Sequence, residues 1–163
     1  MSKFEGLVKK IMTWDEVRLL SNIWRFQDKK IVFTNGCFDI LHKGHIDYLA
    51  KAADLGMILI IGLNTDKSIQ ILKGKNRPVQ DEQSRAHILA SLSFVDAVVL
   101  FDEETPFELI QHLRPDILVK GSDYAVEDIV GYDVLKGYGG EIKTLDFVEG
   151  YSTSAIIAKI SNE

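Results

Sequence analysis

From residue 30 onward the chain alternates short, unbroken apolar runs with longer stretches in which apolar residues return every three or four positions. The runs are Ile31-Val32-Phe33-Thr34, Met57 to Leu63, Ala97-Val98-Val99-Leu100, Ile117-Leu118-Val119 and Ile142-Lys143-Thr144-Leu145. A strand that is apolar on successive residues is covered on both faces, the condition of a parallel sheet between two helix layers. The intervening stretches predict a helix from about His45 to Leu55, stopped by Gly56, and another from Asp81 to Leu92. A third is opened by Thr105, with Pro106 at its first position and Glu108 as capping-box partner, and ends before Pro115. Ser152 or Thr153 caps a closing helix that carries Ile156, Ile157 and Ile160. Upstream, Thr13-Trp14-Asp15-Glu16 has the form of a capping box, and Trp14, Val17, Leu20 and Trp24 recur at helical spacing. The two tryptophans are expected to pack this helix onto the body or onto a second subunit.

Regular alternation of strand and helix predicts an α/β fold, a Rossmann-like doubly wound parallel sheet of about five strands with an extra N-terminal helix. The expected organisation is a single domain over 1–163, divided into a helical extension (1–29) and an α/β core (30–163). In such sheets ligands sit beyond the carboxyl ends of the strands, so chemistry is expected just after the apolar runs.

Charge narrows the choice of partner. The net charge of −5 disfavours nucleic acid held by bulk attraction, so any bound anion must be gripped by local groups. The N-terminal residues lack the apolar core of a signal peptide, and no run approaches the ~20 apolar residues of a membrane span. Cys37 is the lone cysteine, which excludes an intramolecular disulfide and suits a reducing compartment. A cytoplasmic protein with no membrane partner is expected.

The densest chemistry lies in the segment Thr34 to His45, between the first run and the first long helix. It is neither a Walker A loop nor a dinucleotide fingerprint. Gly36 and Gly44 allow close approach of a ligand to the main chain, and free N–H groups at the helix start face an anion with a favourable dipole. His42 and His45, three positions apart, can each donate to a phosphate oxygen; two capping histidines would give the same pattern. A zinc pair would need further ligands, and Cys37, His87 and His112 show no ligand spacing with them, so no metal site is expected among the side chains.

Cys-Phe-Asp-x-x-His-x-Gly-His after a buried strand resembles the HxGH signature of the cytidylyltransferase-like nucleotidyltransferases. Further segments extend the resemblance: Asn64-Thr65-Asp66, Lys73-Gly74-Lys75-Asn76-Arg77-Pro78-Val79, Gln83-Ser84-Arg85, Phe94-Val95-Asp96, Val119-Lys120-Gly121-Ser122-Asp123-Tyr124 and Glu149 to Ser154. Together they are most similar to the adenylyltransferase module of ADP-heptose synthesis, found alone in some bacteria and fused to a sugar kinase in others. The glycerol-phosphate and choline-phosphate cytidylyltransferases carry an arginine in each of two motifs where this chain has Ser93 and Phe147. A phosphate-gripping arginine fork is not replaced by serine or phenylalanine, so the heptose type fits better.

That resemblance implies transfer of AMP from ATP to a sugar 1-phosphate, with Mg2+ accompanying the ATP. The alternatives are a CTP-dependent glycerol-3-phosphate cytidylyltransferase and a nucleotide-binding regulatory module without turnover. His42 and His45 are the implied catalytic pair. Cys37, Phe38, Gly44, Lys73, Lys75, Lys120, Gly121, Asp123, Ser152, Thr153 and Ser154 are the implied nucleotide contacts; Asn35, Asp39 and Arg85 are the implied acceptor contacts. Plainer roles stand beside several of these: a solvated turn for Lys73 and Lys75, a helix cap for Ser152 to Ser154, a surface ion pair for Arg85. Cys37 has no activating partner in the sequence and is expected to pack rather than react. The resemblance also implies a homodimer and a separate sugar kinase as functional partner.

Overall fold

Every apolar run becomes a strand, and all the strands run parallel. The computed structural model describes residues 1–123 and 125–161, so Tyr124 of the Val119 to Tyr124 motif lies outside it. Across the sheet the order is β1 (Ile11–Met12), β4 (Ala97–Phe101), β3 (Ile58–Asn64), β2 (Ile31–Gly36), β5 (Ile117–Gly121) and β6 (Glu141–Leu145). The chain winds from β2 through β3 to β4 on one side, then returns to the other side of β2 for β5 and β6. The winding reverses between β2 and β5, where an open α/β sheet places its ligand crevice. β2 pairs with β3 from Ile31–Ile58 through Gly36–Leu63, but with β5 only at Val32–Ile117 and Phe33–Leu118. That ladder stops well short of the carboxyl ends of the two strands.

Side chains alternate between the faces of a strand, and here both faces are apolar. Val32, Leu59, Ile61, Val98 and Val119 pack beneath α3 (Lys43–Ala53) and α5 (Glu82–Ala90). Ile31, Phe33, Ile60, Val99 and Leu118 pack on the other side, toward α2 (Trp14–Phe26), α6 (Phe107–Leu113) and α7 (Tyr132–Tyr138).

Residues 1–29 hold more than the expected helix. They form α1 (Lys3–Val8), the two-residue strand β1 and α2. β1 pairs through Ile11–Val98 and Met12–Val99, which makes the sheet six-stranded rather than about five. Two residues are too short to show a period. The Thr13–Glu16 capping box forms in both directions. Trp14 and Trp24 both pack on the sheet's second core, and Trp14 Nε1 donates to the Leu100 carbonyl at 2.9 Å, so the tryptophans serve the body of the same chain. α3 begins at Lys43, two residues before the expected start, because His42 itself caps it. The box expected from Thr105 and Glu108 does not form: Pro106 occupies the cap with no side-chain oxygen to offer, and the helix starts at Phe107. α4 (Asp66–Lys73), α7 and a 3-10 turn (Val126–Asp128) lie outside the expected elements; α4 is amphipathic but only 8 residues long. The closing helix α8 (Thr153–Ser161) buries none of its residues completely, and Ile160 is 66% exposed.

Candidate functional site

β2 ends at Gly36, and the chain then crosses the crevice before entering α3. Phe38 takes a left-handed backbone conformation (φ 44°), rare for a bulky residue and typical of strained functional loops. His42 is the N-cap of α3: its Nδ1 accepts from the His45 N–H at 3.4 Å. A neutral imidazole that accepts at Nδ1 carries its proton on Nε2, leaving that N–H as a donor. The His42 and His45 rings stack at 3.8 Å, and the edge of Phe38 holds His45 from the other side at 5.3 Å between ring centres. The intervening residue is glycine for lack of room. A Cβ on Gly44 would lie 3.1 Å from His42 Nδ1 and 3.1 Å from the Tyr151 Cβ. Burial lowers the pKa of His42; burial and then the neighbouring His42 bring that of His45 down to about 4. Both rings are therefore neutral donors near pH 7.

Two adjoining cavities of about 380 and 370 Å3 meet over this pair, sharing His45, Lys73, Phe147 and Thr153. The first is bounded by Asn35, Cys37, Phe38, Asp39, Lys120, Gly121 and Asp123. The second takes in His42, Gly44, Arg77, Ser152 and Ser154. Of the residues singled out from sequence, all but Lys75 and Arg85 line one cavity or the other. Lys73, the last residue of α4 rather than part of a loop, faces both. Lys120 hydrogen-bonds Asn35 Oδ1 across the gap between β5 and β2, and burial lowers its pKa to about 8.

Asp39 and Arg85 direct their polar atoms at the protein itself. Arg85 is fully buried: Nη1 donates to the carbonyls of Cys37 and Asn64, Nε to that of Gln80, and Nη2 to Asp66 at 2.7 Å. Asp39, only 2% exposed, accepts from Arg77 Nε and from the main-chain N–H groups of Val79 and Gln80. Burial works against its ionisation, but those hydrogen bonds and the Arg77 charge outweigh it, and its pKa is lowered. The two side chains thus tie the loops after β2, β3 and α4 together beneath the cavities. Burial pushes the Cys37 thiol pKa up, away from the reactive thiolate, in keeping with a packing role.

Sequence reasoning passed over Arg77, Tyr151 and Phe147 as site residues. Arg77 and Tyr151 sit in stretches already singled out, whereas Phe147 reaches the site only through the return of the chain after β6. Phe147 packs on the Tyr48 ring at 5.5 Å and covers Gly121, where a Cβ would fall 2.2 Å from its ring.

A parallel sheet with a histidine pair, lysines and a hydroxyl-rich helix start around its switch point has the parts that phosphate binding needs. The chain belongs to the cytidylyltransferase-like family, whose model matches residues 33–159, and so to a class of nucleotidyltransferases. It is 54% identical over 93% of its length to the bifunctional protein HldE of Syntrophotalea carbinolica, covering 31% of that protein. It is 58% identical over 81% of its length to the HldE of Citrifermentans bemidjiense, covering 27%. The chain thus spans about a third of the curated relatives it matches. Among solved structures, a lipopolysaccharide core biosynthesis protein from Thermoplasma volcanium superposes with a TM-score of 0.59 and 29% identity, over 76% of this chain and 99% of that one. A pantoate-beta-alanine ligase from Francisella tularensis shares the fold alone, with a TM-score of 0.59 at 16% identity over 93% of this chain and 76% of that one.

Proposed function

We propose that this chain transfers AMP from ATP to a heptose 1-phosphate, giving ADP-heptose, a lipopolysaccharide precursor, and pyrophosphate. The observation that carries this is the stacked, neutral His42–His45 pair, held by the α3 cap between the cavities bearing Lys73 and Lys120. An oxygen of the sugar phosphate attacks the α-phosphorus; the new O–P bond forms as the bond to the bridging oxygen breaks, and pyrophosphate leaves with that electron pair. The nucleophile is already anionic, so the site needs no strong base. It must align the partners and stabilise charge on the transferring group.

His42 and His45 donate to the α-phosphate oxygens, and the main-chain N–H groups of Cys37 and Phe38 add to the cradle. Lys73 and the hydroxyls of Ser152, Thr153 and Ser154 hold the leaving phosphates, while Gly121 lets the nucleotide lie close to β5. Among the described residues no cluster of three His, Cys, Asp or Glu side chains could cage a metal ion. Magnesium needs no cage when it arrives on a triphosphate; one or two carboxylates suffice, and Asp123 in the cleft wall fits that need. When bound, the ion neutralises triphosphate charge.

The adenylyl and heptose assignments draw support from the HldE relatives and from the site. Ser93 is exposed beyond α5 and Phe147 turns its ring to Tyr48, so neither offers a phosphate-gripping cation. No helix among the described residues is long and apolar enough to cross a membrane. The proposed enzyme works in the cytoplasm on an acceptor supplied by a sugar kinase. Leu19, Ile23 and Phe26 line an exposed apolar stripe on α2, which supports a homodimer. The deciding experiment offers ATP, CTP and GTP with heptose, mannose and glycerol phosphates and identifies products by mass spectrometry. ADP-heptose is the expected product; CDP-glycerol, or no product with any pair, would overturn the proposal.

A further inference from the structure

Beside the phosphate cleft lies a third cavity, of about 190 Å3, and Lys120 forms part of the wall of both. Its other walls are Glu104 to Pro106, in the loop after β4, and Asp128 to Val130, at the end of the 3-10 turn. Neither segment has a part in the mechanism above. Among the described residues, the side chains of Glu104, Thr105 and Asp128 make no ion pair or hydrogen bond.

The lining selects its occupant. Two carboxylates, Glu104 and Asp128, disfavour a phosphate, so the triphosphate does not enter here. Carboxylates with free lone pairs accept from hydroxyl groups, and the Thr105 hydroxyl can donate or accept. Pro106, Ile129 and Val130 supply an apolar wall against which the C–H face of a sugar packs. Lys120 stands where this volume meets the cleft. Its ammonium has only Asn35 for a partner among the described residues, with no carboxylate in ion-pair range. A partly buried ammonium that bonds only Asn35 among the described residues, with the Asp123 charge farther off, stands between this hydroxyl-accepting cavity and the transfer site, where the phosphate of a sugar phosphate belongs.

We infer that this third cavity is the sugar subsite: the acceptor's phosphate lies at Lys120 facing the histidine pair, and its hydroxyls bond to Glu104 and Asp128. The inference rests on the proposed sugar-phosphate transferase activity and adds what selects the sugar. Glu104 and Asp128 are exposed, so Glu104→Ala and Asp128→Ala leave the fold intact, which the melting curve of each variant checks. Loss of one hydrogen bond to a charged group weakens binding about tenfold or more. Each variant is expected to raise the KM for heptose 1-phosphate by about that factor, and in the reverse direction the KM for ADP-heptose. The KM values for ATP and pyrophosphate should stay within about twofold, as these ligands do not occupy the cavity. If the wild type makes ADP-heptose and both variants keep its acceptor KM, or if the ATP KM rises in parallel, the subsite is wrong and the activity stands. If the wild type adenylylates no sugar phosphate, the activity falls and the subsite falls with it.

Discussion

His42 caps α3 and, in the proposed mechanism, also donates to the transferring group, and one pair of substitutions can separate the two. Its Nδ1 caps α3, and its Nε2–H is free to donate to the transferring phosphate. The capping bond is long, 3.4 Å, so its loss belongs at the weak end of the usual range for a cap, about 0.5–1 kcal/mol. Removing one oriented donor to a charged transition state typically costs ~10²–10³ in rate, about 3–4 kcal/mol of barrier. His42→Ala should therefore lose both, melting slightly earlier and turning over far more slowly. Asparagine is among the best N-cap residues and has a short side chain, so His42→Asn should restore the melting temperature without restoring turnover. Thermal denaturation and steady-state pyrophosphate release measure the two effects separately. Recovery of turnover in His42→Asn along with stability would show that the histidine acts only as a cap and would refute the catalytic role.

Arg85→Met should destabilise the protein by about 3–5 kcal/mol, since it strands the carbonyls of Cys37, Asn64 and Gln80 and leaves Asp66 without its cation; urea unfolding checks this. Stability unchanged in that variant would contradict the buried network. Gly44→Ala should lower kcat with a smaller effect on ATP KM, because the new methyl group presses on the His42 ring; full activity would show that the ring has room to move. Lys120, with its pKa lowered from 10.5 to about 8, is charged below that pH and neutral above it. The KM for the sugar phosphate should accordingly climb as pH rises past about 8, and a flat profile to pH 9.5 would remove the lysine from the acceptor's phosphate. His45 lies on the acid side: its pKa of about 4 is below the ordinary 6.5, so the unfolded chain binds a proton the native chain refuses. Stability should fall as pH drops from about 6.5 toward 4, and His45→Gln should flatten that slope in pH-dependent melting.

The strands and the histidine pair were legible because each is local. Ile58 to Leu63 is a short unbroken apolar run that fits a strand buried on both sides, and His-x-Gly-His brings its own geometry with it. Arg85 shows where locality ends. On the sequence it sits in a mostly polar helical stretch and resembles any surface arginine, and its burial depends on acceptors 5, 19, 21 and 48 residues away. β1 was invisible for the opposite reason: two residues carry no periodicity, and the strand exists because Val98 and Val99 leave an edge for it. Phe147 was noticed as the absence of an arginine, yet its place in the wall depends on Gly121 at the end of β5, far from it in the chain. The capping box expected around Pro106 failed because the proline took the cap position itself.

The phosphate cleft has walls of unequal firmness. One side rests on β2 and β3, whose residues are buried along most of their length and braced by Arg85. The other side comes from the chain after β6 and from α8, with Phe147 54% and Tyr151 45% exposed and no residue of α8 fully buried. Segments with so little buried area open locally at a small fraction of the global unfolding free energy. Amide hydrogens of α8 should therefore exchange well ahead of those in β2 and β3, and a triphosphate that grips Ser152 to Ser154 should slow them selectively. In the proposed reaction, release of product then requires only the unfastening of this one outer layer, while the sheet beneath keeps its shape from one turnover to the next.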